Sequence, residues 1–257
     1  KILFLFVIIF YSCSFDNKSG IWKNENLITR ENNDSFREFK KLSITYSPFN
    51  KIVNIKKNFK FKAPALINVT EWNDIFFSDN NNLLNLKYSN LNKKNFRSKK
   101  ITKKNIGNYI LSDSKNIICS DLNGNIFIFS LVENKLISKF NFYKKRFKNI
   151  EKKLNLLVEN GIIYVSDNIG FLYAFDYKKN KVIWAKNYKI PFRSNLKISQ
   201  DKLLASNQNN NLYFFNKYSG EIIKLIPTEE TTVKNAFINN LSLDDNYIFF
   251  LNTYGSL

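Results

Sequence analysis

Between residues 154 and 185 short apolar runs alternate with polar turns at the spacing of a β-meander. The runs 162–166, 171–176 and 182–185 of IIYVSDNIGFLYAFDYKKNKVIWA are rich in Ile, Val, Phe, Tyr and Trp, residue types that suit a pleated, half-buried surface. A fourth run, 154–158, precedes them across Glu159-Asn160-Gly161, and Gly170 supplies the turn between the second and third strands. Four short strands joined by tight turns make a unit of about 40 residues, the size of one propeller blade.

The unit recurs. Its central turn appears as Ser78-Asp-Asn-Asn81, Ser120-Asp-Leu-Asn-Gly124, Ser166-Asp-Asn-Ile-Gly170, Ser206-Asn-Gln-Asn-Asn210 and Asn252-Thr-Tyr-Gly255, with turn positions 81, 124, 170, 210 and 255 separated by 43, 46, 40 and 45 residues. Phe127, Tyr173 and Tyr213 occupy one slot of the repeat, as expected if each blade presents an aromatic to its neighbour, and Trp184 ends the last strand of its copy. Ser219-Gly220 forms the last tight turn of the fourth copy. Helical periodicity is weak except at 36–41, so the fold class read from the pattern is all-β, a β-propeller of four-stranded antiparallel blades. Expected strands are 65–69, 74–78 and 83–87 in the first blade, 108–112, 116–120, 125–130 and 135–140 in the second, and 195–199, 202–206, 211–216 and 221–225 in the fourth. The fifth copy starts near Phe237 and runs to Leu257. About four and a half blades are expected, a piece of a seven- or eight-bladed ring lacking roughly 120 residues at about 40 per blade.

The domains expected are a signal peptide at 1–12, a lipidated tether at 13–50 and the propeller at 51–257. Lys1, the apolar residues 2–11 and then Ser12-Cys13 have the layout of a secretory signal ending in a lipoprotein box. The apolar run is too short to span a bilayer comfortably. Cys13 is the expected lipidation site, and Cys119, within an apolar strand, is then a buried free thiol. Residues 15–50 are polar and poor in pattern, and 16–22 mimic a blade turn with no strand before them, so both are read as tether. The run KIVNIKKNFKFK at 51–62 reads as an extended strand of the kind that completes a last blade.

A net charge of +19 invites a nucleic-acid reading. The lysines are spread over turns and loops, however, at Lys56-Lys57, Lys99-Lys100, Lys103-Lys104, Lys144-Lys145 and Lys152-Lys153. The expectation is a solvated basic surface with at most a weak attraction to anionic lipid, and no nucleic-acid partner.

The unit from Ile163-Tyr-Val-Ser-Asp-Asn-Ile-Gly-Phe-Leu-Tyr-Ala-Phe-Asp176 on to Trp184 resembles the pyrroloquinoline-quinone-type propeller repeat. A lipoprotein signal directly before one such propeller resembles the BamB family, the scaffold lipoproteins of the outer-membrane β-barrel assembly machine. The resemblance implies an eight-bladed, non-enzymatic protein with no cofactor and no small-molecule substrate. It further implies an anchor in the outer membrane, on the periplasmic face, and docking on the periplasmic domains of a BamA-like central subunit. The loop Ile190-Pro-Phe-Arg193-Ser-Asn-Leu196 resembles the family's partner-contacting loop, which makes Phe192 and Arg193 the implied partner-binding residues. The family's second contact is a pair of acids, and alignment places Ala236 and Ile238 there, with Glu229-Glu230 a few residues upstream.

The residues themselves weigh against catalysis. No His is present, which removes imidazole bases and Ser-His triads. Asp244-Asp245 and Glu229-Glu230 are adjacent pairs, whose side chains in extended backbone point to opposite faces. A periplasmic quinone-dependent dehydrogenase shares the repeat but carries a vicinal Cys-Cys that this chain lacks. A propeller binding or sensing domain of another envelope protein is the remaining alternative.

Overall fold

The computed structural model describes residue 60 and residues 63–88, 97–229 and 238–257, together with strand pairing at Ser14–Phe15 and Trp22–Lys23. Contacts divide the chain into units Lys1–Phe61 and Lys62–Leu257. In the first unit β1 (Ser14–Phe15) pairs antiparallel with β2 (Trp22–Lys23). The expected blade-like turn at 16–22 lies largely outside the described residues. The expected signal at 1–12, the lipidation site Cys13, the helical turn at 36–41 and residues 51–59 lie outside the described residues.

In the second unit β3 (Glu71–Trp72), β4 (Ile106–Asp113), β5 (Asn116–Asp121), β6 (Asn125–Ser130) and β7 (Lys135–Asn141) form one antiparallel sheet. The third blade is β8 (Leu154–Glu159), β9 (Ile162–Asp167), β10 (Phe171–Asp176) and β11 (Lys181–Asn187). The fourth is β12 (Lys197–Ser199), β13 (Lys202–Ser206), β14 (Leu212–Asn216) and β15 (Ile222–Ile226), and the fifth copy is the hairpin β16 (Asn240–Leu243) and β17 (Ile248–Leu251). Among the described residues the helical content is one 3-10 turn, Lys145–Phe147.

Repetition extends beyond the turn that reveals it. All five turn positions, Asn81, Gly124, Gly170, Asn210 and Gly255, have left-handed φ between 58° and 103°. The hairpin joining the last two strands repeats as well, with left-handed Asn134, Asn180 and Gly220, and a register shift between the same two strands follows Ile128, Ala174 and Phe214. Three residues before each turn position stands an acceptor for the loop's backbone. Asp121, Asp167, Asn207 and Asn252 each take up amide N–H groups at 2.8–3.1 Å through side-chain Oδ1. In the first copy the corresponding residue is Ser78, whose carbonyl accepts the Asn81 N–H.

The middle strands read as unbroken apolar runs because both faces of each blade are covered by neighbours. β9 and β10 are buried almost throughout, whereas the outer β11 alternates. One core cluster joins the second and third blades, another the third and fourth, and a smaller one joins the fourth to the hairpin. The expected aromatic slot lies at these seams. Tyr173 is fully buried and stacks on Phe142 at 4.5 Å, and half-buried Tyr213 lies 6.4 Å from Tyr188, so each ring meets an aromatic that follows the previous blade's outer strand. Phe127 is also buried, with the Lys139 ammonium over its ring.

Trp184 makes a further seam contact. Its indole N–H donates to Lys217 O at 2.9 Å, and a Cβ built on Gly220, where φ is +74°, would stand 2.5 Å from the indole ring. At the preceding seam the matching positions hold Ser138 and Asn180, which hydrogen-bond at 3.3 Å instead. Gly220→Val is therefore expected to cost about 2–3 kcal/mol from the strained backbone and the displaced indole. A denaturant midpoint equal to that of the wild type would show that the contact is dispensable.

The first copy departs from expectation by not forming a blade. Among the described residues, its predicted strands 65–69 and 83–87 meet at a single parallel bridge between Ile67 and Leu86. Residues 71–81 instead run along the first strands of the other copies. β3 pairs with β4, Asn73 O accepts from Val158 N of β8 at 2.9 Å, and Asp79 O accepts from Leu243 N of β16 at 2.8 Å. Edge strands hold unpaired N–H and C=O groups that need partners when buried, and this segment supplies them.

Candidate docking site

The loops that enter the third, fourth and fifth copies converge around a cavity of about 490 Å³ whose walls include Phe76, Lys152, Arg193, Asn195, Ile238 and Asn239. The backbone of Arg193 is clamped there between two copies. Its N–H donates to Ser206 O at 2.9 Å and its carbonyl accepts from Asn239 N at 2.8 Å. The neighbours are fixed too. Ser194 bridges Asn239 in parallel and its hydroxyl accepts from Ser206 N, while Asn195 exchanges two side-chain hydrogen bonds with the Leu241 backbone at 2.7 and 2.8 Å. The half-buried Arg193 side chain thus rises from a rigid base at the cavity wall. Such preorganisation lowers the entropy lost when a guanidinium pairs with a partner.

Phe192 takes a different place from the one its resemblance implies. It is 3% exposed and packs edge-on against Tyr188 and Phe215 within the seam between the third and fourth blades. Its N–H donates to Asp167 O at 2.9 Å, which ties the loop to the previous blade. As a correction, Phe192 anchors the loop from beneath, because side chains alternate along this extended stretch and Arg193 takes the outward position.

Ile238 is exposed at the same cavity, and Ala236 and Glu230 lie outside the described residues. Glu229 accepts from Asn210 through its carbonyl and from Ser256 through its carboxylate. The Asp244-Asp245 pair sits in the hairpin between β16 and β17, where Asp244 caps the Asp245 N–H. Cys119 is a buried free thiol, pushed up to about 11 by burial and by the nearby Asp121 charge, which leaves little reactive thiolate near neutral pH.

No known family profile matches the chain, and no curated protein matches it by sequence. Solved structures do match. The computationally designed Ika4 protein superposes with a TM-score of 0.53 at 9% identity, over 65% of this chain and 96% of that one. The chain has the β-propeller fold. BamB from Moraxella catarrhalis aligns with a TM-score of 0.40 at 11% identity, over 56% of this chain and 54% of its own. The quinohemoprotein alcohol dehydrogenase from Comamonas testosteroni aligns with 0.46 at 11%, over 61% of this propeller chain and 27% of its own length. At such identities the likeness concerns the fold alone.

Sequence reasoning did not single out Asn195, Ser194 or Asn239, which hold Arg193 in place. Their signal is faint, since Asn is abundant along the chain and nothing in the repeat marks which copies interlock. The carboxamide and carboxylate acceptors of the last four copies were visible within the aligned strings, where they precede the turn Gly or Asn at a constant offset of three residues.

Proposed function

We propose that this propeller is a non-enzymatic scaffold lipoprotein of the outer-membrane β-barrel assembly complex. In this reading a lipid on Cys13 holds it at the periplasmic face of the outer membrane, and its blade-entering loops dock on the periplasmic domains of a BamA-like subunit. The observation that supports the reading is the clamped Arg193 at the wall of a cavity formed by those loops. An arginine on a fixed base suits an interface anchor, because the planar guanidinium pairs with carboxylates or stacks on aromatics without losing much freedom. The scaffold acts by position, holding partner domains in one orientation so that client strands meet the membrane-embedded barrel.

Titrating the periplasmic domains of the BamA-like subunit into the full chain tests this. Wild type is expected to bind saturably and Arg193→Glu to weaken the complex about 30-fold or more, as charge reversal at an interface anchor costs about 2 kcal/mol or more. Equal affinity for the two proteins would overturn the assignment of Arg193, and no binding by either would overturn the scaffold reading.

A further inference from the structure

The lysines that look scattered along the sequence are partly gathered by the fold. A cleft of about 870 Å³ lies between the loop entering the second blade and the loop entering the third, and is lined by Lys103, Lys104, Lys144, Lys145, Lys148 and Lys152. Lys152 is buried and donates to Phe147 O, which leaves five exposed ammonium groups on the cleft walls. Among the described residues none of these five is in an ion pair. Among the described residues Glu151 is the one acidic side chain in the lining. Two clusters of like charge facing one cleft repel each other, and a bound polyanion removes that cost.

We infer that this cleft is a binding site for a ligand carrying two or more phosphate groups. Lysine binds phosphate as a mobile point charge, and clusters on two separate loops suit two phosphates better than one. Side-chain amides of the lining, such as those of Asn105 and Asn123, add neutral donors for ester or hydroxyl oxygens. A nucleic-acid strand fits less well. Among the described residues Tyr143 is the one aromatic in the lining; its hydroxyl donates to Asp167 at 2.5 Å, the Lys152 ammonium lies over its ring and it packs T-shaped against Phe142, Phe147 and Phe171, so the cleft offers no series of open rings for successive bases. The cleft adjoins the Arg193 cavity through Lys152, but the inference does not rest on the docking reading.

The test uses the full chain, inorganic pyrophosphate as soluble probe and vesicles of phosphatidylcholine with or without cardiolipin, a lipid with two phosphates. Saturable pyrophosphate binding is expected, weakened about tenfold or more by Lys144→Glu with Lys145→Glu. The control Lys202→Glu with Lys224→Glu, which removes the same charge from exposed sites elsewhere, is expected to bind within about twofold of wild type, since screening confines the effect to nearby charges. Pyrophosphate binding without cardiolipin binding supports the site with a soluble ligand, and cardiolipin binding displaced by pyrophosphate supports it with a lipid headgroup. Equal loss in the two double variants, absence of saturable binding, or a single-stranded oligonucleotide binding more tightly than pyrophosphate would overturn it.

Discussion

Lys197→Met, made alone, is expected to lower the unfolding free energy by about 3–5 kcal/mol, the cost of leaving one member of a buried ion pair uncompensated. Lys197 is fully buried on β12. Its ammonium donates to Asp74 Oδ2 at 2.8 Å and to Ser78 O at 2.7 Å, so one side chain fastens residues 71–81 to the fourth blade. Burial raises the Asp74 carboxyl above its ordinary 3.8, while the Lys197 charge pulls it down. Removing Lys197 removes the pull, and Asp74 then favours its protonated form more strongly. A folded-state value above the unfolded one gives stability that is present below the unfolded value and lost as pH rises through the folded value. The deficit of the variant therefore grows from acid toward neutral pH. Adding Asp74→Leu is expected to recover much of the loss, because an apolar pair avoids the desolvation of both charges. Denaturant titrations at two pH values check this, and a single-variant loss under about 1 kcal/mol would show that the segment is held by its backbone bonds alone.

Asp167→Ala is expected to cost about 3–5 kcal/mol, a large value for a turn residue. Asp167 is fully buried, and its Oδ1 accepts from the amides of Ile169, Gly170 and Phe171 at 2.8 Å each, while Oδ2 accepts from the Tyr143 hydroxyl. Alanine leaves three amides and a phenol without their acceptor beneath the seam of the second and third blades. Asp167→Asn keeps an oxygen for the amides and is expected to cost only about 1 kcal/mol. Asn207 and Asn252 already do this work in later copies. Burial raises the Asp167 carboxyl above 3.8 despite its hydrogen bonds, so its ionisation opposes folding, and the advantage of wild type over Asp167→Asn is widest in acid and narrows as pH rises. Equal stability of the Ala and Asn variants would contradict the role of Oδ1.

The blades were legible because their signals are local and repeated. Strands such as Asn125–Ser130 and Phe171–Asp176 follow from apolar runs between turn residues, and the aromatic slot at 127, 173 and 213 follows from the same phase. The first copy was not legible. Its turn at Asn81 keeps the repeat, but residues 71–81 gain more by completing the edges of three other strands, β4, β8 and β16, than by pairing locally, a choice set by tertiary contacts. The conformation of the loop proposed for docking was legible in part. Motif resemblance located residues 190–196, whereas burial of Phe192 beneath Arg193 depends on where Tyr188 and Phe215 converge, which spacing alone does not encode. The lysine cleft was missed for a related reason, since Lys103-Lys104 and Lys144-Lys145 belong to loops of successive blades and become neighbours only when the blades pack.

Site-specific photocrosslinking tests the scaffold reading most directly. A photoreactive residue placed at Arg193 in the full chain is expected to crosslink to the BamA-like subunit, while one placed at the exposed Lys178, in the hairpin between β10 and β11, is expected to stay uncrosslinked. Crosslinking from both positions alike, or from Lys178 alone, would contradict docking through the blade-entering loops.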